Sequence, residues 1–107
     1  MKEDLAAHCP VARSLLCVGD AWSFLILRDA FLGLTRFDEF RKSLGIAPTM
    51  LTSRLATLTE EGLLEKRRYM DRPPRDEYLL TPAGQDFLPV LIMLSAWGTK
   101  HRGDGDL

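Results

Sequence analysis

The amino-acid sequence predicts a mostly α-helical fold with one small β-hairpin. Apolar residues recur every three or four positions through most of the chain, and Gly or Pro falls between these repeats. Residues 63–69 and 77–81 instead have the character of strands, with a pair of prolines between them. A chain of 107 residues, 46% of them apolar, is long and apolar enough for one hydrophobic core. We therefore expect a single domain that spans residues 1–107.

The first two predicted helices are bounded by residues that typically start and end helices. Pro10 can occupy the first turn of a helix that ends at Gly19. Asp20 is a typical N-cap for the second helix, which Gly33 closes. The apolar residues of this second helix recur at helical spacing and are Trp22, Leu25, Ile26, Ala30 and Phe31.

Two shorter helices follow, separated by residues 45–47. Residues 36–44 form an amphipathic pattern, and Pro48 can open a fourth helix that runs to about Glu61, before Gly62. The apolar stripe of the fourth helix consists of Leu51, Leu55 and Leu58. Two helices of this length with such a break are typical of a helix-turn-helix, whose second helix enters the major groove of DNA.

The solvent face of the fourth helix is small and hydroxylated. Counting 100° per residue from Leu51 places Thr49 and Ser53 opposite the apolar stripe, with Thr57 on the flank. An ordinary solvated face carries more Lys and Glu, whereas a slim face suits a groove about 12 Å wide. The side chains that we expect to approach bases are Thr49, Met50, Thr52 and Ser53.

The predicted hairpin, here called the wing, concentrates positive charge. Residues 66–75 contain five of the 14 Lys and Arg residues and only one acidic residue, although the whole chain has a net charge of −1. Prolines 73 and 74 belong in the loop, because proline cannot donate a ladder hydrogen bond. A wing next to a recognition helix can follow the phosphate backbone or enter the minor groove. The residues expected to hold DNA in this way are Arg67, Arg68, Arg72 and Arg75.

Other roles are possible for the wing arginines and for the remaining candidate cations. The wing arginines can pair with Asp71, Asp76 and Glu77, but surface pairs contribute only about 0–1 kcal/mol and the cations outnumber these partners. Arg54 can pair with Glu61 or Glu39, or reach a phosphate. Weaker candidates for contacts with the DNA backbone are Arg36 and Lys42.

The last predicted helix is apolar on nearly every side. Thr81 and Pro82 have the character of its N-cap and first residue, although Gly84 stands where a capping box has Glu or Gln. A helix that is apolar all round must be buried all round, and a domain this small rarely covers a terminal helix alone. We therefore expect a homodimer. Its expected interface residues are Leu15, Leu88, Leu91, Ile92, Leu94 and Trp97.

Several classes of protein and site are not indicated. The N-terminal residues lack the apolar run of a secretory signal, and residues 87–97 are too short for the ~20 residues of a membrane helix, so we expect a cytoplasmic protein without a membrane span. Cys9 and Cys17 do not have zinc-site spacing. With no catalytic triad or glycine-rich phosphate loop in the pattern, we expect neither an enzyme nor a cofactor or metal.

Many separated motifs resemble those of the HxlR-type winged-helix transcription regulators of bacteria, over roughly residues 9–101. These motifs are Cys9-Pro-Val11, Val18-Gly-Asp-Ala-Trp22, Leu25-Ile-Leu-Arg-Asp-Ala30, Gly33, Arg36-Phe37, Glu39-Phe40, Gly45-Ile-Ala47, Leu51-Thr-Ser-Arg-Leu55, Gly62-Leu63, Tyr69, Pro74-Arg75, Tyr78, Leu80-Thr81, Gly84, Pro89 and Trp97-Gly98. One departure is Ala21, where the family usually has Lys. The resemblance implies a winged helix-turn-helix with N- and C-terminal dimerisation helices. It further implies a homodimeric, sequence-specific regulator, expected to be a repressor, on a pseudo-palindromic operator in double-stranded DNA.

The resemblance also bears on single residues. The family has an Arg in the same Leu-Thr-x-Arg-Leu setting as Arg54, which favours a phosphate contact there. Some members sense oxidants or electrophiles through a cysteine near the start of the first helix, which is the place of Cys9, and a helix N-terminus favours the reactive thiolate. Alternatively Cys9 is a packed, inert residue.

Two functional alternatives stay open at this point. Trp22 and Trp97 can line a pocket for a small-molecule effector, or they can be core residues. The whole chain can be a winged-helix protein–protein adaptor without DNA binding, which a gel shift on random duplex would distinguish from a DNA-binding regulator.

Overall fold

A computed structural model, which describes residues 7–103, contains helices and one two-stranded antiparallel sheet that is largely exposed. The elements in chain order are α1 (Pro10–Val18), α2 (Ala21–Phe31), α3 (Phe37–Leu44), α4 (Pro48–Glu60), β1 (Leu64–Met70), β2 (Arg75–Leu80), α5 (Pro82–Gln85) and α6 (Leu88–Arg102). This order confirms the predicted mostly α-helical fold with one hairpin. The two ends of the predicted domain, residues 1–6 and 104–107, lie outside the described residues.

The hydrophobic core lies where α2, α3, α4 and β1 meet. Its most deeply buried apolar side chains are each at most 2% exposed and are Ile26, Leu27, Phe40, Leu51, Leu55, Leu58 and Leu64. The core stripe predicted for α4 is therefore confirmed. Because each such side chain contributes about 1.5–3 kcal/mol when fully buried, this cluster fixes how α4 sits on the rest of the domain.

The predicted helix-turn-helix is confirmed between α3 and α4. Gly45 ends α3 in the left-handed region, at φ 63° and ψ 24°, where a residue with a Cβ is strained. Ile46 is buried and anchors the turn, and Pro48 occupies the first turn of α4. The turn thus holds α4 in a fixed direction relative to α3.

The wing is formed by β1 and β2, and its turn is tighter than predicted. Leu64 pairs with Leu80 and Arg67 with Glu77, and the register shifts by one residue at Tyr69. We predicted Arg75 in the loop, but it begins β2. The two prolines occupy the turn itself, so the ladder resumes at the first residue after them that can donate a hydrogen bond.

The base of the wing is tied to the start of α3. The Tyr78 N–H donates to the Thr35 carbonyl oxygen at 2.7 Å, and Arg36 forms an isolated antiparallel bridge with Glu77. This third short segment was not predicted. It holds the wing against the helix-turn-helix.

The predicted last helix is in fact two helices, α5 and α6, so that expectation was wrong. Pro89 has no N–H to donate to Gln85, and its ring would clash with the preceding turn of a continuous helix. The chain therefore breaks at residues 86–87, and Pro89 lies in the first turn of α6, where proline is tolerated.

Gly84 in α5 shows why no capping box forms there. The Thr81 hydroxyl oxygen accepts a hydrogen bond from the Gly84 N–H at 3.0 Å, as predicted for the N-cap. A Cβ at Gly84 would collide with the carbonyl oxygen of Leu63. The close packing of α5 on the start of β1 therefore requires glycine at this position.

Candidate nucleic-acid interface

The residues predicted to approach bases all lie exposed on α4. They are Thr49, Met50, Thr52 and Ser53. The Thr52 hydroxyl donates to the Pro48 carbonyl at 2.9 Å, so its oxygen keeps lone pairs that can accept from a base edge. Thr57, which we placed on the solvent flank, is instead half-buried and borders a groove beside α1, because the packing of α4 on α1 turns this flank inward.

The first turn of α4 is a second feature suited to DNA. Its N-cap is Ala47, whose side chain has no hydrogen-bond acceptor, and the first bond within the helix runs from the Leu51 N–H to the Ala47 carbonyl. The N–H groups of Thr49 and Met50 therefore lack a capping side chain. Free N–H groups at the positive end of a helix dipole are suited to a phosphate. Our sequence reasoning missed this, although alanine at a position that usually holds Ser, Thr or Asp was the signal.

Arg54 has a partner that we did not predict. Its Nε lies 3.1 Å from Oδ1 of Asp20, the N-cap of α2, whereas the alternatives left open by the sequence were a pair with Glu61 or Glu39 and a phosphate contact. The Arg54 side chain is 29% exposed. A guanidinium has five N–H donors, so the ion pair leaves donors that can reach a phosphate.

Asp20 holds both the start of α2 and Arg54. Its carboxylate accepts from the Ser23 N–H at 2.9 Å and from the Ser23 hydroxyl at 2.8 Å. Burial alone would raise the pKa of Asp20, but the Ser23 hydrogen bonds and the Arg54 charge outweigh it, and the pKa is lowered. Asp20 therefore stays ionised and links α2 to α4.

Three of the five wing cations are paired across the ladder. Arg67 lies 3.4 Å from Glu77, while Arg68 and Lys66 lie 3.4 and 3.7 Å from the two oxygens of Asp76. The two acidic residues of β2 thus take up more of the cluster than we predicted. All three cations are more than half exposed, so these pairs are weak and can be exchanged for phosphates.

The unpaired positive charge of the wing lies at its tip. Arg72 is in the turn and Arg75 begins β2, and both are exposed. Within residues 7–103, neither has a carboxylate at ion-pair distance. The tip therefore carries two cations that are not neutralised locally.

Arg36 is positioned by the wing, whereas Lys42 is separate from it. The Arg36 guanidinium lies over the Tyr69 ring, 4.4 Å from its centroid, and borders a cleft between α3 and the wing that Arg75 also lines. Hydrogen bonds from the Thr35 and Arg36 N–H groups to Glu39 lower the pKa of that carboxyl. Lys42 is exposed on α3, about 200° around the helix from the buried Phe40.

Five of the six residues predicted to form a dimer interface are exposed. Leu15, Leu88, Ile92, Leu94 and Trp97 are between 36% and 53% exposed. Leu91 is only 7% exposed, because it is the α6 residue that packs into the core of its own chain. Leu91 therefore has little surface left for a contact with a second copy.

The two cysteines differ in their surroundings. Cys9 is the N-cap of α1 and is half-buried, with no side-chain capping bond. The Cys17 thiol donates to a carboxylate oxygen of Glu61 at 3.4 Å, and burial, then this hydrogen bond and the Glu61 charge, raise the pKa of Cys17. A raised pKa disfavours the reactive thiolate at Cys17.

Residues 7–103 contain neither a candidate metal cluster nor a single helix that could span a membrane. Within residues 7–103, no group of three or more His, Cys, Asp and Glu side chains could hold a metal ion. In the same part of the chain, no single helix is long and apolar enough to cross a membrane. The consecutive helices α1 and α2 pass that test only together, and they are bent by 80° relative to each other.

Known proteins of similar sequence are regulators. Over 91 residues the chain is 43% identical to Rv3095 of Mycobacterium tuberculosis, an uncharacterised HTH-type transcriptional regulator, covering 85% of this chain and 58% of that protein. It is 36% identical to the HTH-type transcriptional regulator YdeP of Bacillus subtilis, over 88% of this chain and 74% of that one. The chain thus spans less than two thirds of the mycobacterial relative.

Solved structures of similar fold also include regulators. The crystal structure of PA1607, a candidate transcription factor, has a TM-score of 0.87 and 42% sequence identity, covering 99% of this chain and 74% of that one. The redox regulator HypR in its reduced form has a TM-score of 0.82 and 32% identity, covering 88% of this chain and 94% of that one. The HxlR-like helix-turn-helix family matches residues 17–106, and this chain belongs to that family.

Proposed function

We propose that this chain is a homodimeric, sequence-specific DNA-binding transcription regulator that represses from a pseudo-palindromic operator. The observation that carries the proposal is the combination of a slim hydroxylated face on α4 with two locally unneutralised arginines, Arg72 and Arg75, at the wing tip. Hydroxyl groups on a helix in the major groove read base edges, while guanidinium groups hold phosphates or the minor groove. The membership of the HxlR-like family supports the same function.

These contacts give each group of residues at the proposed DNA interface a separate role. Thr49, Met50, Thr52 and Ser53 would face bases, and the N–H groups of the first α4 turn would bind a phosphate. Arg36, Lys42 and Arg54 would add backbone contacts. The paired wing cations Arg67 and Arg68 would exchange Glu77 and Asp76 for phosphates when DNA is present.

A homodimer is supported by the apolar residues that the fold leaves exposed. Val90, Met93 and Trp97 on α6 and Val11 and Leu15 on α1 are exposed although they are large and apolar. The α6 residues Val90, Met93 and Trp97 line one groove, and contiguous apolar surface of this kind marks an interaction site. Two copies joined there would present two α4 helices, as a palindromic operator requires.

The test compares Arg75→Gln with Lys100→Gln, which removes the same charge from α6. Each dimer loses two wing contacts in Arg75→Gln, so its affinity for operator DNA falls and the slope of log K against log [salt] decreases by about 2. Lys100→Gln keeps both the affinity and the slope of the parent, with light scattering to check that it remains a dimer, because Lys100 borders the exposed apolar groove of α6. Fluorescence anisotropy on a duplex from the promoter of its own or a neighbouring gene, at several salt concentrations, measures both quantities.

Two results would contradict this proposal. Equal slopes for Arg75→Gln and the parent would remove the wing from the interface. No binding to random duplex at low salt would favour the protein–protein adaptor. A reporter assay on the same promoter tests repression, since deletion of a repressor raises expression.

We further propose that Cys9 senses oxidants. It is a half-buried cysteine at the start of α1, and the neighbouring structure HypR is a redox regulator described in reduced and oxidised forms. A change at Cys9 would alter α1, one of the two helices proposed to join the subunits. DNA binding would then respond to oxidation through the geometry of the dimer.

A further inference from the structure

A cavity of about 340 Å³ lies between α2 and α6. Apolar side chains of both helices line it, namely Phe24, Leu25, Leu91 and Leu94. Arg28 and Arg102 also border it. This volume is at the lower end of the range for small-molecule sites, which are mostly apolar with a few polar groups.

The cavity and the outermost residues of the proposed dimer surface lie on different faces of α6, and Leu94 borders both. Ser95 and Gly98 fall within about 40° of Leu91 around the helix, so they face inward toward α2. Arg102 also borders the cavity, although its guanidinium extends over the Trp97 ring. Met93 and Trp97 lie about 120–160° away and face outward. A ligand in the cavity therefore does not have to displace the contacts proposed for Met93 and Trp97.

Small residues on α6 create the space. Ser95 and Gly98 occupy the inner face where the helix passes α2. A Cβ at Gly98 would meet no atom within 4 Å. The space at this position is therefore large enough for added side-chain atoms, and the glycine is not required by close packing.

The charged groups that line the cavity are both cationic. The Arg28 Nε and Nη2 atoms donate to Oδ1 of Asp29 at 3.2 and 3.0 Å, and Asp29, only 2% exposed, thereby fixes the guanidinium. Arg102 lies over the Trp97 ring at 5.3 Å and donates to the His101 carbonyl at 2.7 Å. Within residues 7–103, no carboxylate lines this cavity. An apolar cavity bordered by two positioned guanidinium groups is suited to an anion with an apolar body.

We propose that this cavity binds a small amphipathic organic anion, a carboxylate attached to an aromatic ring or a short alkyl chain. The apolar group would lie between Phe24 and Leu91, and the carboxylate would contact Arg28 and Arg102. A second copy's α1 is a poorer occupant, because residues 10–18 contain Arg13 and no acidic residue to meet these guanidiniums. The role of such a ligand as an effector rests on the proposed DNA binding, whereas its binding to the cavity does not.

The probe is 3-phenylpropionate, titrated into the full chain without DNA and followed by protein-observed NMR. Saturable changes in chemical shift are expected for the Gly98 and Phe24 amides. The expected Kd is on the order of 1 mM, because a ligand this small can make few contacts. The neutral analogue 3-phenylpropanamide binds roughly tenfold more weakly or worse, because it lacks the charge. Arg102→Gln weakens the acid by a similar factor, whereas Lys100→Gln, on the opposite side of α6, does not.

Gly98→Leu tests the location, since its side chain fills the cavity. Binding of 3-phenylpropionate is expected to be lost while the dimer, measured by light scattering, persists. Loss of the dimer in Gly98→Leu would overturn the proposal and assign the cavity to a second copy. No saturable shift, or equal binding of acid and amide, would overturn it as well. If Gly98→Leu does not fold, the comparison of Arg102→Gln with Lys100→Gln decides.

Discussion

Asp20 joins two elements that are far apart in the sequence. It caps α2 through Ser23 and holds Arg54 of α4 at 3.1 Å. The cap could be predicted from the sequence, because it depends on residues within three positions. The pair with Arg54 could not, since 34 positions separate the two residues and only the packing of α4 on α2 brings them together.

Replacing Asp20 separates its two roles. Asp20→Ala removes both the cap and the ion pair, so the free energy of unfolding falls by about 1–2 kcal/mol. Asp20→Asn keeps a good capping side chain and loses only the charge, so its loss is smaller. Chemical denaturation at neutral pH measures both variants. Equal losses would show that the charge, and not the cap, dominates.

Asp20 also makes the stability of the folded protein depend on pH. Because the folded-state pKa of Asp20 lies below its ordinary value of 3.8, its contribution to stability is fully present above that pH. The contribution is lost as the pH falls through the lowered pKa. Asp20→Asn has no such component, so the stability difference between parent and Asn variant shrinks in acid.

Substitution of Cys9 tests the proposal that this residue senses oxidants, and the same substitution at Cys17 is the control. Mild hydrogen peroxide is expected to release the parent protein from its DNA, whereas Cys9→Ser stays bound. Cys17→Ser keeps the response of the parent, because the raised pKa of Cys17 disfavours its thiolate. Gel shifts before and after treatment measure release. Identical responses of the parent and Cys9→Ser would leave Cys9 with a packing role only.

At the level of elements, α5 depends on one glycine. Gly84→Ala places a Cβ against the Leu63 carbonyl, so α5 or β1 must move, and the free energy of unfolding falls by about 1–3 kcal/mol. Gly98→Ala is the control, because its Cβ enters open space and alanine favours a helix interior over glycine by about 0.5–1 kcal/mol. Thermal unfolding compares the two. A neutral Gly84→Ala would show that α5 is not held tightly against β1.

The helices were predictable from the sequence where local signals mark their ends. Gly45, Pro48 and the apolar stripe of α4 each act within a few residues, and they gave the helix-turn-helix. The break between α5 and α6 also had a local signal in Pro89. We predicted one continuous helix because the apolar run extends across Pro89. Proline, however, lacks the N–H that a continuous helix needs at this position.

The sequence alone does not show which cations of the wing are paired with acidic residues. Glu77 faces Arg67 and Asp76 faces Arg68 only in the observed register. A shift of one residue would turn these side chains to opposite faces of the hairpin. The sequence therefore predicted a positive wing, whereas the restriction of its unpaired charge to Arg72 and Arg75 required the structure.

At the scale of the whole molecule, the proposed DNA contacts of the wing and the exposed apolar surface lie on different elements. The unpaired cations of the wing lie at its tip, whereas the large exposed apolar residues proposed to join the subunits lie on α1 and α6. A net charge of −1 is compatible with DNA binding, because screening confines the interaction to charges within about 10 Å of the phosphates. Dimerisation and DNA binding can therefore be separated by mutation.

Ile92→Asp tests this separation, with Leu32→Asp as the control. Both residues are exposed and apolar, at 51% and 58%, but Leu32 ends α2 and does not lie on α1 or α6. A buried, unpaired carboxylate at the interface is strongly unfavourable, so Ile92→Asp is expected to be a folded monomer and Leu32→Asp a dimer. Light scattering and circular dichroism measure these states.

The consequence for DNA binding follows from geometry. A monomer engages one half-site at a time, so Ile92→Asp loses the effective concentration that links two half-sites, and its affinity for the full operator falls about 100-fold or more. Its affinity for an isolated half-site stays that of the parent protomer, because α4 and the wing are unchanged. A dimeric Ile92→Asp, or a parent protein that is itself monomeric, would place the subunit contact elsewhere and leave the exposed face of α6 without its proposed partner.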